Sequence, residues 1–287
     1  MTATLFFTFG VIIGSFLNVV ALRYSEDKNI FSLAHLGGRS NCQHCHQQLA
    51  WYELVPILSF LLQKGKCWIC MKKLSWQYPL VELASGLVFL LPLYFLNYAL
   101  LPTPYALIES IVWISAFLIF LLIWAIDFRL YIIPDELNLL LGILGLILAD
   151  MQNLYFQFSQ FSGSFLGSYA ALFGLRGGGV WQNHLLAMLI GASIVGVIIL
   201  LTKGNGMGMG DLKLLAALGL LFGWPDVLFI FIIASVIGAA VSLVLMLFQK
   251  KTLKSSVPFG PFLVMGAALV FFFGENILRS YFNFFGF

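Results

Sequence analysis

Long apolar runs separated by short polar stretches dominate this chain. Roughly eight such segments can be marked, near 3–22, 79–98, 105–126, 132–150, 184–202, 212–223, 226–248 and 259–275. A helix needs about 20 mostly apolar residues to cross a bilayer. The segments after Asp127 and Asp211 are short or interrupted, which predicts that neighbouring helices shelter them from lipid. Sustained alternation of apolar and polar positions is absent, which argues against a β-barrel. The first segment has no basic residue ahead of its apolar run and no small-residue cleavage site behind it. It reads as a retained span, not a removed signal peptide. The pattern predicts an all-α polytopic membrane protein with about eight transmembrane helices.

Composition agrees. Of the 287 residues, 61% are hydrophobic and only 9% are charged, far more apolar than a soluble domain requires. The 29 Phe read as packing and lipid-facing surface. The charges then set orientation. If the spans alternate, all but Arg176 and Arg279 of the 15 Lys and Arg residues fall on one side. The positive-inside rule places that side in the cytosol and both termini outside. Asp127 and Asp211 then share the cytosolic face.

The four cysteines form two pairs in the polar stretch 23–78, Cys42-Gln-His-Cys45 and Cys67-Trp-Ile-Cys70. This spacing is close to a zinc-ribbon pattern. Each pair makes a tight knuckle, and two knuckles complete a closed tetrahedral site for Zn2+. A saturated site has no open position for substrate, so its work is structural, folding a loop too polar to build a core. Disulfides are disfavoured in a reducing cytosol. Free thiols or a redox pair are the alternatives. His44 and His46 stand beside the first pair, but four thiolates already fill the shell. His35 and His184 carry no motif and read as loop or interface residues. The basic residues of the loop suit anionic lipid headgroups. They carry no nucleic-acid-binding motif, so no nucleic-acid partner is expected.

Asp127 ends the run IVWISAFLIFLLIWAID, and Asp211 closes the turn GMGMGD. An ionisable group at membrane depth is costly and usually functional. Two neighbouring carboxylates hold one proton between them and titrate as a unit. Such a pair can activate water, with one member accepting its proton and the other donating. Gly206, Gly208 and Gly210 lack Cβ and let another chain approach the backbone closely. Their plainer reading is a flexible turn. Pro134 and Asp135 suit a helix start, with Asp135 as a cap or first-turn residue and Glu136 favourable to the helix dipole. Lys213 can tune the acid pair, although positive-inside placement explains it equally well.

With these motifs in order, the chain resembles the bacterial type IV prepilin peptidases. The resemblance runs through GSFLNVVALR (14–23), the paired cysteines, YPLVELASG (78–86), IDFRLYIIPDELN (126–138), GMGMGDLKLLAALG (206–219) and PFGPFLVMG (258–266). It implies an inner-membrane aspartic protease of GxGD type. The catalytic positions fall on Asp127 and Asp211. The substrates are prepilins or pseudopilins, whose basic leader is cut after a glycine on the cytosolic side. Many members also methylate the new N-terminus with S-adenosylmethionine, and the cysteine loop belongs to those bifunctional members. A pilus or type II secretion machine would use the product. Gln43 and Trp68 stand where the family often has Pro and Arg, and neither change removes a metal ligand. No G-x-G-x-x-G loop or other methyl-donor site is readable. Gly86 reads as a packing position. The stretch between the two aspartates is longer than the family pattern, with the excess at about 151–183. It reads as an outer-side interfacial segment or loop.

The expected plan is a first transmembrane helix (1–22), a cytosolic four-cysteine zinc-binding loop domain (23–78) and a membrane peptidase domain (79–287). Three rival readings stand beside it. One is a leader peptidase without methyltransferase activity. Another is a proton- or ion-coupled transporter, against which both acids lie near one face and no internal repeat is evident. The third is a scaffold with inert aspartates.

Overall fold

The computed structural model describes residues 2–26, 29–32, 37–92, 103–155, 166, 179–204, 206–248 and 257–285. They are almost wholly helical: α1 (Thr2–Arg23), α2 (Leu58–Leu62), α3 (Gln77–Val88), α4 (Thr103–Leu130), α5 (Asp135–Tyr155), α6 (Val180–Thr202), α7 (Met209–Phe222), α8 (Asp226–Leu247) and α9 (Gly260–Phe285). Extended pairing among the described residues is limited to two isolated bridges, Asn41 with Gln48 and Lys66 with Lys73. The all-α expectation is met.

Among the described residues, six helical stretches are long and apolar enough to cross a membrane: Thr2–Arg23, Ala106–Leu130, Asp135–Leu154, Val180–Thr202, Asp226–Leu247 and Gly260–Phe284. Two expected segments are not among them. At 79–98, α3 is described to Val88 and residues 93–102 lie outside the described residues. At 212–223, α7 has only 14 residues. His35 lies outside the described residues, as does most of 151–183.

The chain divides into two compact units, Met1–Ile126 and Asp127–Phe287. In the first, α1 packs on α3 through small residues. A Cβ on Gly14 would stand 2.7 Å from Ser85 Cβ, and one on Gly86 would stand 2.7 Å from the side chains of Phe7 and Val11. Without a hydrophobic force between helices in lipid, such close backbone approach supplies the attraction. Ser85 Oγ donates to the Gly10 carbonyl at 2.7 Å, and Asn18 Nδ2 donates to the Tyr78 carbonyl at 3.1 Å. Gly86 is thus a packing residue.

In the second unit, α7 is the hub and packs against α5, α6, α8 and α9. Its residues Leu214, Leu215, Leu218, Leu221 and Phe222 are fully buried. This is how so short a helix is sheltered, as its interrupted sequence predicts. Glycines again set the crossings. A Cβ on Gly145 would stand 2.8 Å from the Leu220 backbone, and one on Gly191 would stand 2.7 Å from the Leu215 carbonyl. His184 is an interface residue. Its Nδ1 lies 2.7 Å from the Leu220 carbonyl oxygen and its Nε2 lies 3.1 Å from Gln152 Oε1.

The segment after Asp127 is sheltered on one side: α5 is a full-length helix that buries Leu137, Leu141, Leu148 and Ala149 and leaves Leu139, Ile143, Ile147 and Leu154 exposed. The interruption at Pro134 marks only its start. Within 151–183, Leu166 is described and buried, and its N–H donates to Asp226 Oδ1 at 3.0 Å.

Candidate functional site

The second unit brings the two aspartates together. Asp127 sits in the last turn of α4. That helix closes where Tyr131, in the left-handed region at φ 60°, donates its N–H to the Asp127 carbonyl at 2.9 Å. Residues 132–134 then lead to α5. Gly206 anchors the second approach by donating its N–H to Thr202 Oγ1 at 3.1 Å. Gly208 caps α7, and Asp211 in its first turn reaches back to accept the Gly208 N–H on Oδ2 at 3.0 Å. The bond satisfies a donor the helix start would otherwise leave without a partner. It also fixes the direction of the carboxylate. Asp127 lies close enough to feel the charge of Asp211.

Asp127 is 3% exposed, and among the described residues its Oδ2 has no hydrogen-bond partner. A buried carboxylate oxygen without a partner is costly and suits an oxygen that must meet water or substrate. Lys213 does not supply the missing charge partner. Its Nζ pairs with Asp135 Oδ2 at 2.6 Å, tying the start of α7 to that of α5. Asp135 is a first-turn residue of α5, as its position after Pro134 predicts.

Two residues of this site escape a reading of the sequence. A Cβ on Gly260 would lie 2.5 Å from Asp127 Oδ2 and 3.0 Å from Ile133 Cδ1. A side chain there would push the Asp127 carboxylate from its place. A Cβ on Gly210 would meet Ile133 Cβ at 3.3 Å. The buried Ile133 side chain thus fills the space between the first turns of α7 and α9. The one available signal was PFGPF at the start of the last span, which names a turn and not its neighbour.

The first unit brings the four cysteines together. Four sulfurs bound to one zinc ion at about 2.3 Å, at tetrahedral angles, stand about 3.8 Å apart. Here the four Sγ atoms all lie within 4.8 Å of one another, and Cys42 and Cys70 are 3.9 Å apart. The donor set and its spacing therefore fit a metal ion. Two knuckles of the same construction hold the sulfurs. Cys42 N–H donates to Gln47 O and His46 N–H to Cys42 O, both at 2.9 Å. At the matching positions of the second knuckle, Cys67 N–H donates to Lys72 O at 3.0 Å and Met71 N–H to Cys67 O at 2.9 Å. His46 and Met71 turn the chain through the left-handed region at φ 57° and 56°. His46 serves the turn, and the sulfur cluster contains no histidine.

Crowding separates the thiols electrostatically. Burial works against the Cys42 thiolate, but the N–H groups of Cys45 and His44 and the adjacent thiols hold its pKa down at about 7. At Cys45 the Gln47 N–H lowers the pKa, yet burial and the other three cysteines push it up to about 11. Like charges this close cannot all form without a cation among them.

An all-helical membrane protein with a close pair of acids in one unit and a thiol cluster that could hold a metal ion in the other is a narrow class. Comparison with known proteins agrees with it. Residues 8–96 match the Bacterial Peptidase A24 N-terminal domain, and residues 113–243 match the Type IV leader peptidase family. Several relatives are named prepilin leader peptidase/N-methyltransferase. That of Stutzerimonas stutzeri is 30% identical, over 96% of this chain and 92% of the relative. That of Aeromonas hydrophila is 31% identical, over 97% and 93%. That of Dickeya chrysanthemi is 32% identical, over 91% and 88%. No solved structure matches the chain. The chain belongs to the type IV leader peptidase family. It is accordingly a membrane-bound peptidase, of the lineage whose curated members also carry N-methyltransferase in their names.

Proposed function

We propose that this enzyme removes the basic leader from type IV prepilins or pseudopilins and methylates the exposed N-terminus, with Asp127 and Asp211 as the catalytic pair. The observation that carries this reading is the buried Asp127 carboxylate lying within electrostatic reach of Asp211, its Oδ2 uncommitted. One proton is shared by the pair. The ionised member takes a proton from water as the water oxygen attacks the scissile carbonyl carbon. The protonated member donates toward the carbonyl oxygen. When the C–N bond breaks, the leaving amine takes the proton that the first member removed from water, and the collapsing diol returns its proton to the second. The bare backbone at Gly208, where a Cβ would meet nothing nearer than Asp211 Oδ2 at 3.6 Å, leaves room for an extended peptide. The apolar helix behind the leader lies among the enzyme spans, which supplies much of the orientation.

Cys42, Cys45, Cys67 and Cys70 hold a structural Zn2+ in the loop domain 23–78, between the first span (1–22) and the peptidase domain (79–287). S-adenosylmethionine, when bound, supplies an electrophilic methyl group. The enzyme resides in the bacterial inner membrane with its site facing the cytosol and both termini outside, and pilus or type II secretion machinery uses its product. Incubating purified enzyme with a prepilin and weighing the product tests this. A mass equal to the mature chain plus one methyl group is expected. An uncut substrate, or cleavage unaffected by Asp127→Asn and Asp211→Asn, ends it.

A further inference from the structure

The first unit contains a cavity of about 380 Å³ that the peptidase chemistry does not use. It lies where the cysteine loop meets α1 and α3. Cys42 and Cys67 form part of its wall, so the metal cluster props one side. The volume falls within the range of small-molecule sites, about 300–1,000 Å³. Its lining mixes charged and apolar groups. Two acids, Glu53 and Glu82, and two guanidinium groups, Arg23 and Arg39, share it with aromatic and aliphatic side chains such as Phe60 and Leu49.

Glu82 is the informative member. It lies on α3 and is only 5% exposed. Its Oε2 accepts the Ile57 N–H at 2.7 Å. Among the described residues no basic side chain is ion-paired with it. Burying a carboxylate without a cation is expensive, and a carboxylate offers about four acceptor sites. Glu53 is held the same way, by the Ala50 N–H on Oε2 at 2.8 Å. The Ser15 hydroxyl, also in the lining, lies against Glu82 as well, so that backbone and hydroxyl donors aim the two acids without a cation. Among the described residues, the guanidinium groups also have donors in reserve. Arg23 spends two on the carbonyls of Gly37 and Arg39, and Arg39 reaches Gln48 Oε1. Each guanidinium has five.

We propose that this cavity binds the adenosyl-sulfonium methyl donor, with the Glu82 carboxylate facing its cationic end, an arginine on its carboxylate and the apolar wall against its base. This rests on the methyltransfer half of the function proposed above. A lining with both acids and guanidinium groups suits a zwitterion, and S-adenosylmethionine has cationic and anionic ends of this kind. Its demethylated product has a neutral sulfur and loses the sulfonium charge. The zinc cluster then has a second consequence beyond folding the loop: it holds a wall of the donor site.

Calorimetric titration of the purified full chain, with S-adenosylmethionine and separately with S-adenosylhomocysteine, tests the assignment. Glu82→Gln keeps the acceptor for Ile57 and removes the charge. It should weaken the sulfonium donor at least tenfold and the neutral thioether distinctly less. Val19→Phe fills the cavity from α1 and Leu49→Phe fills it from the loop. Both should abolish binding of both ligands while zinc content and melting temperature hold. If the unmodified chain binds and methylates while all three variants titrate like it, the cavity is not the donor site, and the methyltransfer reading survives. If the unmodified chain neither binds the donor nor methylates cut substrate, the methyltransfer reading falls and takes this assignment with it.

Discussion

The cysteine loop and the acid pair solve opposite problems. The loop is polar, and what its residues can bury is small, so it is organised from its ends inward by two matching knuckles and a ligand set. Its geometry is local: each knuckle closes within eight residues or so, through its own backbone bonds. The acid pair is built from three stretches far apart in sequence, carried by helices whose crossings are set at Gly145, Gly191 and Gly219. There, the apolar packing of α7 does the positioning, and the carboxylates are passengers on a rigid frame. A site made of local turns has little core of its own and would depend on the metal proposed for it. A site made of helix ends depends on the fit between helices.

The sharpest way to separate the two is to remove one chemical group from each. Asp127→Asn and Asp211→Asn keep the shape of the frame and remove the shared proton. Loss of general acid–base catalysis costs about 10²–10⁴-fold, so leader cleavage should fall by at least that range, with zinc content unchanged. Cleavage rates by gel or mass measurement, beside metal analysis of the same samples, check it. Cys42→Ser with Cys45→Ser does the reverse. Zinc should drop from about one ion per chain, the content of a single tetrathiolate site, toward none, and the loop should become protease-sensitive. Methylation should suffer more than cleavage, because Cys42 lines the cavity proposed for the donor, whereas the two acids belong to the other unit. Equal loss of both activities would show that the two regions are not separable.

Metal binding itself should report the crowding of the thiols. At pH 7 a Cys45 thiol with a pKa of about 11 is protonated, and Cys42 at about 7 is half ionised. Zinc takes all four as thiolates. Loading the metal-free chain should therefore release more than one proton, read from titrations in two buffers of different ionisation heat. Zinc affinity should fall as pH drops, since protons compete for the sulfurs. Gly260→Ala tests the other region. The new methyl group would overlap Asp127 Oδ2, and overpacking of this kind costs about 1–3 kcal/mol. Cleavage should fall about tenfold or more while zinc stays bound.

How much of this was legible differs between the regions for the same physical reason. Paired thiols and acids at the ends of apolar runs are chemically conspicuous, so Cys42, Cys45, Cys67, Cys70, Asp127 and Asp211 stand out in the bare chain. The supporting contacts do not. Gly260 and Ile133 matter because three remote segments meet, and no periodicity encodes that meeting. Glu82 lies in a motif that packs a helix, and its role as a cavity wall depends on a loop whose path the spacing does not show. The shelter of α7 was readable from its length, yet α5 looked short only because Pro134 breaks the apolar run before a full helix begins.

The smallest expected effect decides the role of Lys213. Its pair with Asp135 is exposed on both sides, at 44% and 68%, and exposed pairs contribute about 0–1 kcal/mol. If Lys213 only ties α7 to α5, Lys213→Met should lower cleavage less than about fivefold, within what that loss of stability allows. Asp135→Asn should do the same, and the double variant should be no worse than either, since the two remove one interaction. Raised salt should reproduce the loss in the unmodified enzyme, because screening acts on exposed charges. A Lys213→Met loss well beyond this, unmatched by Asp135→Asn and insensitive to salt, would mean that the ammonium acts on Asp211 two residues away. The acid pair would then be tuned by a cation as well as by the Gly208 N–H, and its contrast with the charge-crowded thiols would narrow.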